Sequence, residues 1–136
     1  MKKKILFICT HNSARSQIAE GLTNHFFGDR WEAFSAGTEA TFVKPPAIKV
    51  LKELGIDISH HRSKLITEFR GEQFDLVVTV CDSAKENCPY FPGAKKYIHY
   101  SFKDPSDTKG SEEDVLRSFR DSREKIKKWL DEFLRK

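Results

Sequence analysis

The run Phe74-Asp75-Leu76-Val77-Val78-Thr79-Val80 constrains the fold more than any other stretch of the chain. A strand this continuously apolar is buried on both faces, as the central strands of parallel sheets are. Three shorter runs, Lys4–Cys9, Trp31–Ala36 and Lys96–Tyr100, read as further strands. Between them the apolar residues fall at helical spacing. Ser16–Phe27 carries Ile18, Ala19, Leu22, Phe26 and Phe27. A second helix opens at Pro45-Pro46, where proline fits the first helical turn, and stops at Gly55. A short helix is expected over Arg62–Phe69. Ser111–Arg135 is a long amphipathic helix whose face carries Phe119, Ile126, Trp129 and Phe133. Ser111 followed by Asp114 has the pattern of a capping box at its start. Strands alternating with helices predict βαβ units around a parallel sheet, an α/β fold with right-handed crossovers. With no repeat or linker in sight, one domain spanning residues 1–136 is expected.

Composition narrows the functional classes. A chain of 136 residues can bury a core without disulfides or a structural metal. At 38% hydrophobic and 32% charged it is a globular rather than a disordered sequence. The net charge of +4 favours small anions slightly and does not argue for nucleic acid. Lys2-Lys3-Lys4 before Ile5–Cys9 resembles the start of a signal peptide, but the apolar run is too short. No stretch is long enough to span a membrane, so a cytoplasmic location with no membrane partner is expected. The three cysteines, Cys9, Cys81 and Cys88, are not expected to form structural disulfides there. Nor do they suit zinc: Cys81 and Cys88 are separated by six residues and lack a fourth ligand at a usual spacing.

The segment Cys9-Thr10-His11-Asn12-Ser13-Ala14-Arg15-Ser16 lies between the first strand and the first helix. Ligands of open parallel sheets bind at this carboxyl edge. A loop of this length turns several backbone N–H groups inward, and the helix N-terminus adds its positive end. The same field favours a thiolate on Cys9. Arg15 offers two parallel hydrogen bonds to a tetrahedral oxyanion. Ser16 can donate to the sulfur, and Asn12 tolerates the left-handed backbone that a tight loop needs. A buried cysteine followed by a polar turn is the plainer reading. The placement strand–loop–helix favours an anion site with Thr10, His11, Asn12, Ser13, Ala14, Arg15 and Ser16 as its lining.

This C-x5-R-S segment resembles that of the low-molecular-weight protein tyrosine phosphatase family. Gln17-Ile18-Ala19-Glu20-Gly21, Ser35-Ala36-Gly37-Thr38 and Asp104-Pro105 resemble that family's helix, second strand and general-acid segments. The resemblance implies a single three-layer domain, with a four-stranded parallel sheet in the order 2-1-3-4 flanked by helices on both faces. It also implies Asp104 as general acid, although Asp-Pro is a common turn.

In that order the strand ending at Val80 neighbours the first strand, about 4.8 Å away. Cys9 and Cys81 then emerge at the same edge, within the 4.4–6.8 Å or so that a disulfide permits between α-carbons. Residues seven apart on a helix are roughly 10 Å apart, so pairing Cys81 with Cys88 requires the polar segment between them to unwind. The trio, with Val-Val-Thr-Val-Cys and Cys-Pro, resembles that of the thioredoxin-coupled arsenate reductases, which share the phosphatase fold. That resemblance implies Cys9 attack on arsenate, a Cys9–Cys81 and then a Cys81–Cys88 disulfide, and reduction by thioredoxin or a glutaredoxin-like protein. Phosphate and sulfate are the expected competing oxyanions. The alternative is phosphoester hydrolysis through a Cys9 phosphoenzyme. Ser106-Asp107 after the Asp-Pro pair leaves no aromatic wall for a phosphotyrosine ring. A monomer without cofactor is expected.

Two departures stand out. His11 occupies a position where relatives commonly carry glycine, and is expected to point to solvent. Some reductases bind a monovalent cation through Asn, Glu, Ser and Asp. Asn12, Glu20 and Ser35 match the first three, but Lys64 stands in place of the Asp. Its ammonium would repel or replace a cation, so no required metal is expected. His60-His61 reads as a solvated turn.

Overall fold

The computed structural model describes residues 2–81 and 91–135. Four strands, β1 (Lys3–Ile8), β2 (Trp31–Ala36), β3 (Phe74–Thr79) and β4 (Ala94–His99), form one sheet in the order β2-β1-β3-β4. Every neighbouring pair is parallel. Three α-helices are described, α1 (Arg15–Phe26), α2 (Pro45–Lys52) and α3 (Glu112–Leu134). Two short 3-10 helices, Ile66–Phe69 and Pro105–Asp107, complete the elements among the described residues.

The pleat divides β1 between two cores. Ile5 and Phe7 join the cluster that holds Ile18, Leu22, Val50, Leu51, Phe119, Ile126 and Leu130 from the three helices. Leu6 and Ile8 point the other way, among Phe69, Phe74, Val77 and Phe91. Both faces are therefore covered, but unequally. All three described α-helices pack on one face, and the 3-10 turn Ile66–Phe69 and Phe91 lie on the other. The expected helix over Arg62–Phe69 is confined to that turn. Full burial of a side chain such as Phe7 contributes about 1.5–3 kcal/mol.

The element ends follow local chemistry. Lys44 precedes Pro45 and Pro46, and proline's fixed φ starts α2. After α2 the chain turns at Gly55, whose φ of 80° is left-handed. The capping box of α3 is formed: Ser111 Oγ accepts from the Asp114 amide at 3.1 Å, and Asp114 Oδ2 accepts from the Ser111 amide at 3.1 Å. No described helix is long and apolar enough to cross a membrane.

Candidate active site

Register brings the candidate residues together. Ile8 pairs with both Ala36 and Thr79, so β1 ends level with β2 and β3. The Cys9 amide extends the ladder to the Ala36 carbonyl at 3.2 Å, and the Val80 amide reaches the Ile8 carbonyl at 2.8 Å. Cys9 and Cys81 leave adjacent strands at one edge, both buried in the helix-side core. Cys9 is a free thiol, whereas Cys81 is disulfide-bonded. Cys88 itself lies outside the described residues.

Beyond Cys9 the chain folds into a tight loop. Asn12 has φ 49°, the left-handed backbone expected of it. Thr10 and Ser13 are tied outward through their carbonyls, to the Glu39 amide at 3.0 Å and the Lys44 amide at 2.9 Å. Ala14 is the N-cap of α1, and the described residues offer neither a capping side chain nor an acid in its first turn. The leading N–H groups of α1 therefore meet no competing carboxylate, which suits a tetrahedral anion.

Side chains complete the loop. Ser16 Oγ lies 2.9 Å from Cys9 Sγ and accepts from Asn12 Nδ2 at 2.8 Å. Against a thiolate, only the Ser16 hydroxyl can donate. Arg15 is 2% exposed, with Nη1 donating to the Phe102 carbonyl at 3.2 Å and Nη2 lying 3.4 Å from Asp104 Oδ2. It bridges the loop to the segment after β4. Asp104 caps the turn Pro105–Asp107 by accepting from the Ser106 amide at 2.9 Å. One of its oxygens thus serves the turn while the other faces the loop. The residues after it are polar, as read from Ser106 and Asp107.

His11 points outward as expected, nearly half exposed, with Nδ1 3.6 Å from Glu39 Oε2. His61 corrects the sequence reading. It is not in a solvated turn: its side chain is 11% exposed, with Nδ1 3.0 Å from Gln17 Oε1 and Nε2 3.4 Å from Glu20 Oε2. Burial pushes the imidazole below its ordinary value, and the Glu20 carboxylate pulls it back up. The ring is excluded from water because residues 58–64 fold back over α1, a tertiary event that His60-His61 cannot reveal locally.

The Asn12, Glu20, Ser35 and Lys64 group also assembles. Ser35 Oγ donates to Glu20 Oε1 at 2.6 Å, and Lys64 Nζ lies 3.8 Å from the same oxygen. Lys64 Nζ also donates to the Arg62 carbonyl at 3.1 Å. Burial lowers the Lys64 ammonium from its ordinary value and Glu20 opposes that shift. An ammonium thus stands beside the carboxylate at this position. The described residues hold no group of three or more His, Cys, Asp and Glu side chains fit for a metal.

Gly37 carries a role that its sequence did not disclose. A Cβ there would stand 2.5 Å from the Thr10 carbonyl oxygen, 2.7 Å from that of Cys9 and 2.9 Å from the Asn12 amide. The end of β2 lies directly against the loop that follows Cys9, and only glycine leaves room. Its place within Ser35-Ala36-Gly37-Thr38 was the available signal.

Comparison with known proteins agrees with this geometry. Residues 4–136 match the model of the low molecular weight phosphotyrosine protein phosphatase family. The chain is 44% identical to an arsenate reductase of Halalkalibacterium halodurans over 97% of its own length and 95% of the relative's. A solved arsenate reductase in the phosphate-binding state superposes with a TM-score of 0.81 at 31% identity, covering 98% of this chain and 97% of that one. A thioredoxin-dependent arsenate reductase of Corynebacterium glutamicum gives a TM-score of 0.68 at 28% identity, covering 96% of this chain and 61% of that one. The chain belongs to the low molecular weight phosphotyrosine protein phosphatase family.

Proposed function

We propose that the chain reduces arsenate to arsenite through Cys9, Cys81 and Cys88, and that a thioredoxin-type dithiol protein regenerates it. The observation that carries this reading is the placement of Cys9 and Cys81. Both are buried at the ends of paired strands, beside a loop built to hold a tetrahedral oxyanion. A hydrolase acting through Cys9 alone has no use for the second sulfur. Full-length relatives named arsenate reductase support the choice of anion.

The chemistry follows from the residues. The N–H groups of the loop and the Arg15 guanidinium hold three arsenate oxygens. The Cys9 thiolate, receiving the Ser16 hydrogen bond, attacks arsenic. Asp104 gives its proton to the departing hydroxyl, which leaves as water. The Cys81 thiolate then attacks the Cys9 sulfur of the adduct. The sulfur–arsenic bond breaks, its electron pair stays on arsenic, and As(V) becomes As(III). Arsenite leaves and a Cys9–Cys81 disulfide remains. Attack of the Cys88 thiolate on Cys81 releases the Cys9 thiolate and leaves a Cys81–Cys88 disulfide. The external dithiol reduces it, supplying the two electrons that arsenic received. A free Cys9 beside a disulfide-bonded Cys81 fits the end of this relay.

The Cys81→Ser chain tests it. Arsenate reduction with thioredoxin and its reductase should be abolished while the loop still binds phosphate. Undiminished arsenate reduction, or brisk aryl-phosphate hydrolysis without any arsenate reduction in the unaltered chain, would overturn it. Slow hydrolysis alone would not, because the loop accepts phosphate.

A further inference from the structure

A line of hydrogen bonds reaches the Cys9 sulfur from the side away from the anion. His61 Nδ1 lies 3.0 Å from Gln17 Oε1. Gln17 Nε2 donates to Asn12 Oδ1 at 3.0 Å, and lies 3.2 Å from the Asn12 carbonyl and 2.9 Å from the Arg62 carbonyl. Asn12 Nδ2 donates to Ser16 Oγ at 2.8 Å, and Ser16 Oγ is 2.9 Å from Cys9 Sγ. Gln17, Asn12 and Ser16 are 0% exposed, so water does not interrupt the line.

Its direction is set at both ends. The Gln17 amide nitrogen is surrounded by oxygens, so the atom facing His61 is the amide oxygen, and the ring must donate from Nδ1. Asn12 Oδ1 also accepts from the Lys64 amide at 2.8 Å, which holds Asn12 Nδ2 toward Ser16. At the far end a thiolate can only accept. Each donor therefore points toward the sulfur. A reversed Gln17 amide would set its oxygen against Asn12 Oδ1, the Asn12 carbonyl and the Arg62 carbonyl, weakening the hold on Asn12. The Nδ1–H is present in the imidazolium, which donates to both Gln17 and Glu20, and in the neutral tautomer that leaves Nε2 without a proton toward Glu20.

We infer that His61 is a positioning residue for Cys9: its Nδ1–H orients the Gln17 amide and, through Asn12 and Ser16, fixes the hydrogen bond received by the sulfur. The inference rests on the reading of Cys9 as the nucleophile. Other charged groups face the same region. Arg15 and Asp104 lie on the anion side, His11 and Glu39 at the rim, Glu20 and Lys64 beyond the ring, and His60 and Asp57 beside it. None of these enters the line between His61 and the sulfur.

Two near-isosteric substitutions separate positioning from packing. Asparagine at 61 places an amide nitrogen near the Nδ1 position and keeps the donor to Gln17. Glutamine at 61 places one near Nε2, facing Glu20, and loses it. The readout is the pH dependence of Cys9 alkylation by iodoacetamide in the reduced full chain, resolved by peptide mass spectrometry. His61→Gln should move the profile to higher pH by about half a unit, slowing alkylation below the midpoint about threefold, as expected for a weakened hydrogen bond to an ion. Gln17→Leu should do the same, and His61→Asn should retain the parent profile. A purely structural role would move both His61 variants alike. An unmoved profile in His61→Gln or Gln17→Leu, or an equal shift in His61→Asn, would overturn the inference. Arsenate takes no part in this measurement, so its failure is distinct from failure of the reductase reading.

Discussion

The Lys64 ammonium stands 3.8 Å from Glu20 Oε1, beside a carboxylate that also accepts from Ser35 and faces His61. Glu20 is largely buried, so it needs compensating positive charge, and Lys64 supplies it from within the chain. Activity and melting temperature of the parent chain should accordingly be the same in potassium and sodium chloride at equal ionic strength. Lys64→Met should cost about 1–3 kcal/mol, the penalty of leaving a buried acceptor poorly compensated. Paired melting curves in the two salts check both statements. A specific gain from potassium in the parent chain would contradict them.

His61 makes stability depend on pH in a predictable direction. Burial, the largest influence, lowers its folded value below 6.5, with Glu20 opposing. The unfolded chain then holds the proton more tightly than the folded one just below that pH. The contribution of His61 is therefore whole above about pH 6.5 and is lost as pH falls through the folded value. The melting temperature of the parent chain should fall more between pH 7 and pH 5 than that of His61→Asn. Equal falls would show that the ring is not desolvated as described.

Gly37→Ala should damage the anion loop from a distance in sequence. The new methyl would meet three backbone atoms of Cys9, Thr10 and Asn12 that no side-chain rotation can move. Overpacking of this kind costs about 1–3 kcal/mol. Weaker phosphate protection against thermal unfolding should accompany the lower melting temperature. An alanine variant with parent-like phosphate protection would place the loop farther from β2.

Asp104→Asn separates binding from proton transfer. The amide oxygen can still accept from the Ser106 amide, so the turn Pro105–Asp107 is kept. It cannot give a proton to the leaving hydroxyl. The turnover rate for arsenate should fall about 10²–10⁴-fold, the usual share of a general acid. Inhibition by phosphate should persist, since Arg15 and the loop N–H groups remain. Stopped-time assays of arsenite formation with and without phosphate distinguish the two steps.

Features written in local pattern were legible in the sequence. The apolar run Phe74–Val80 gives the central strand β3, Ser111 and Asp114 give the start of α3, and Asn12 turns the loop with positive φ. The placement of Cys9 to Ser16 as the loop between β1 and α1 was legible too, because one strand–loop–helix segment builds it. Contacts that depend on distant segments meeting were not. Gln17 and His61 are 44 residues apart, and Asn12 and Lys64 are 52 apart. Two adjacent histidines cannot say that one is covered by α1 while the other is exposed. Gly37 shows its constraint only once β2 lies against the loop.

The most direct measurement is a single turnover of the fully reduced Cys88→Ser chain with arsenate and no other reductant, followed by disulfide mapping and arsenite determination. The relay predicts an equivalent of arsenite and a trapped Cys9–Cys81 disulfide. Unreacted thiols at both positions with no arsenite, in a chain whose loop still binds phosphate, would contradict it.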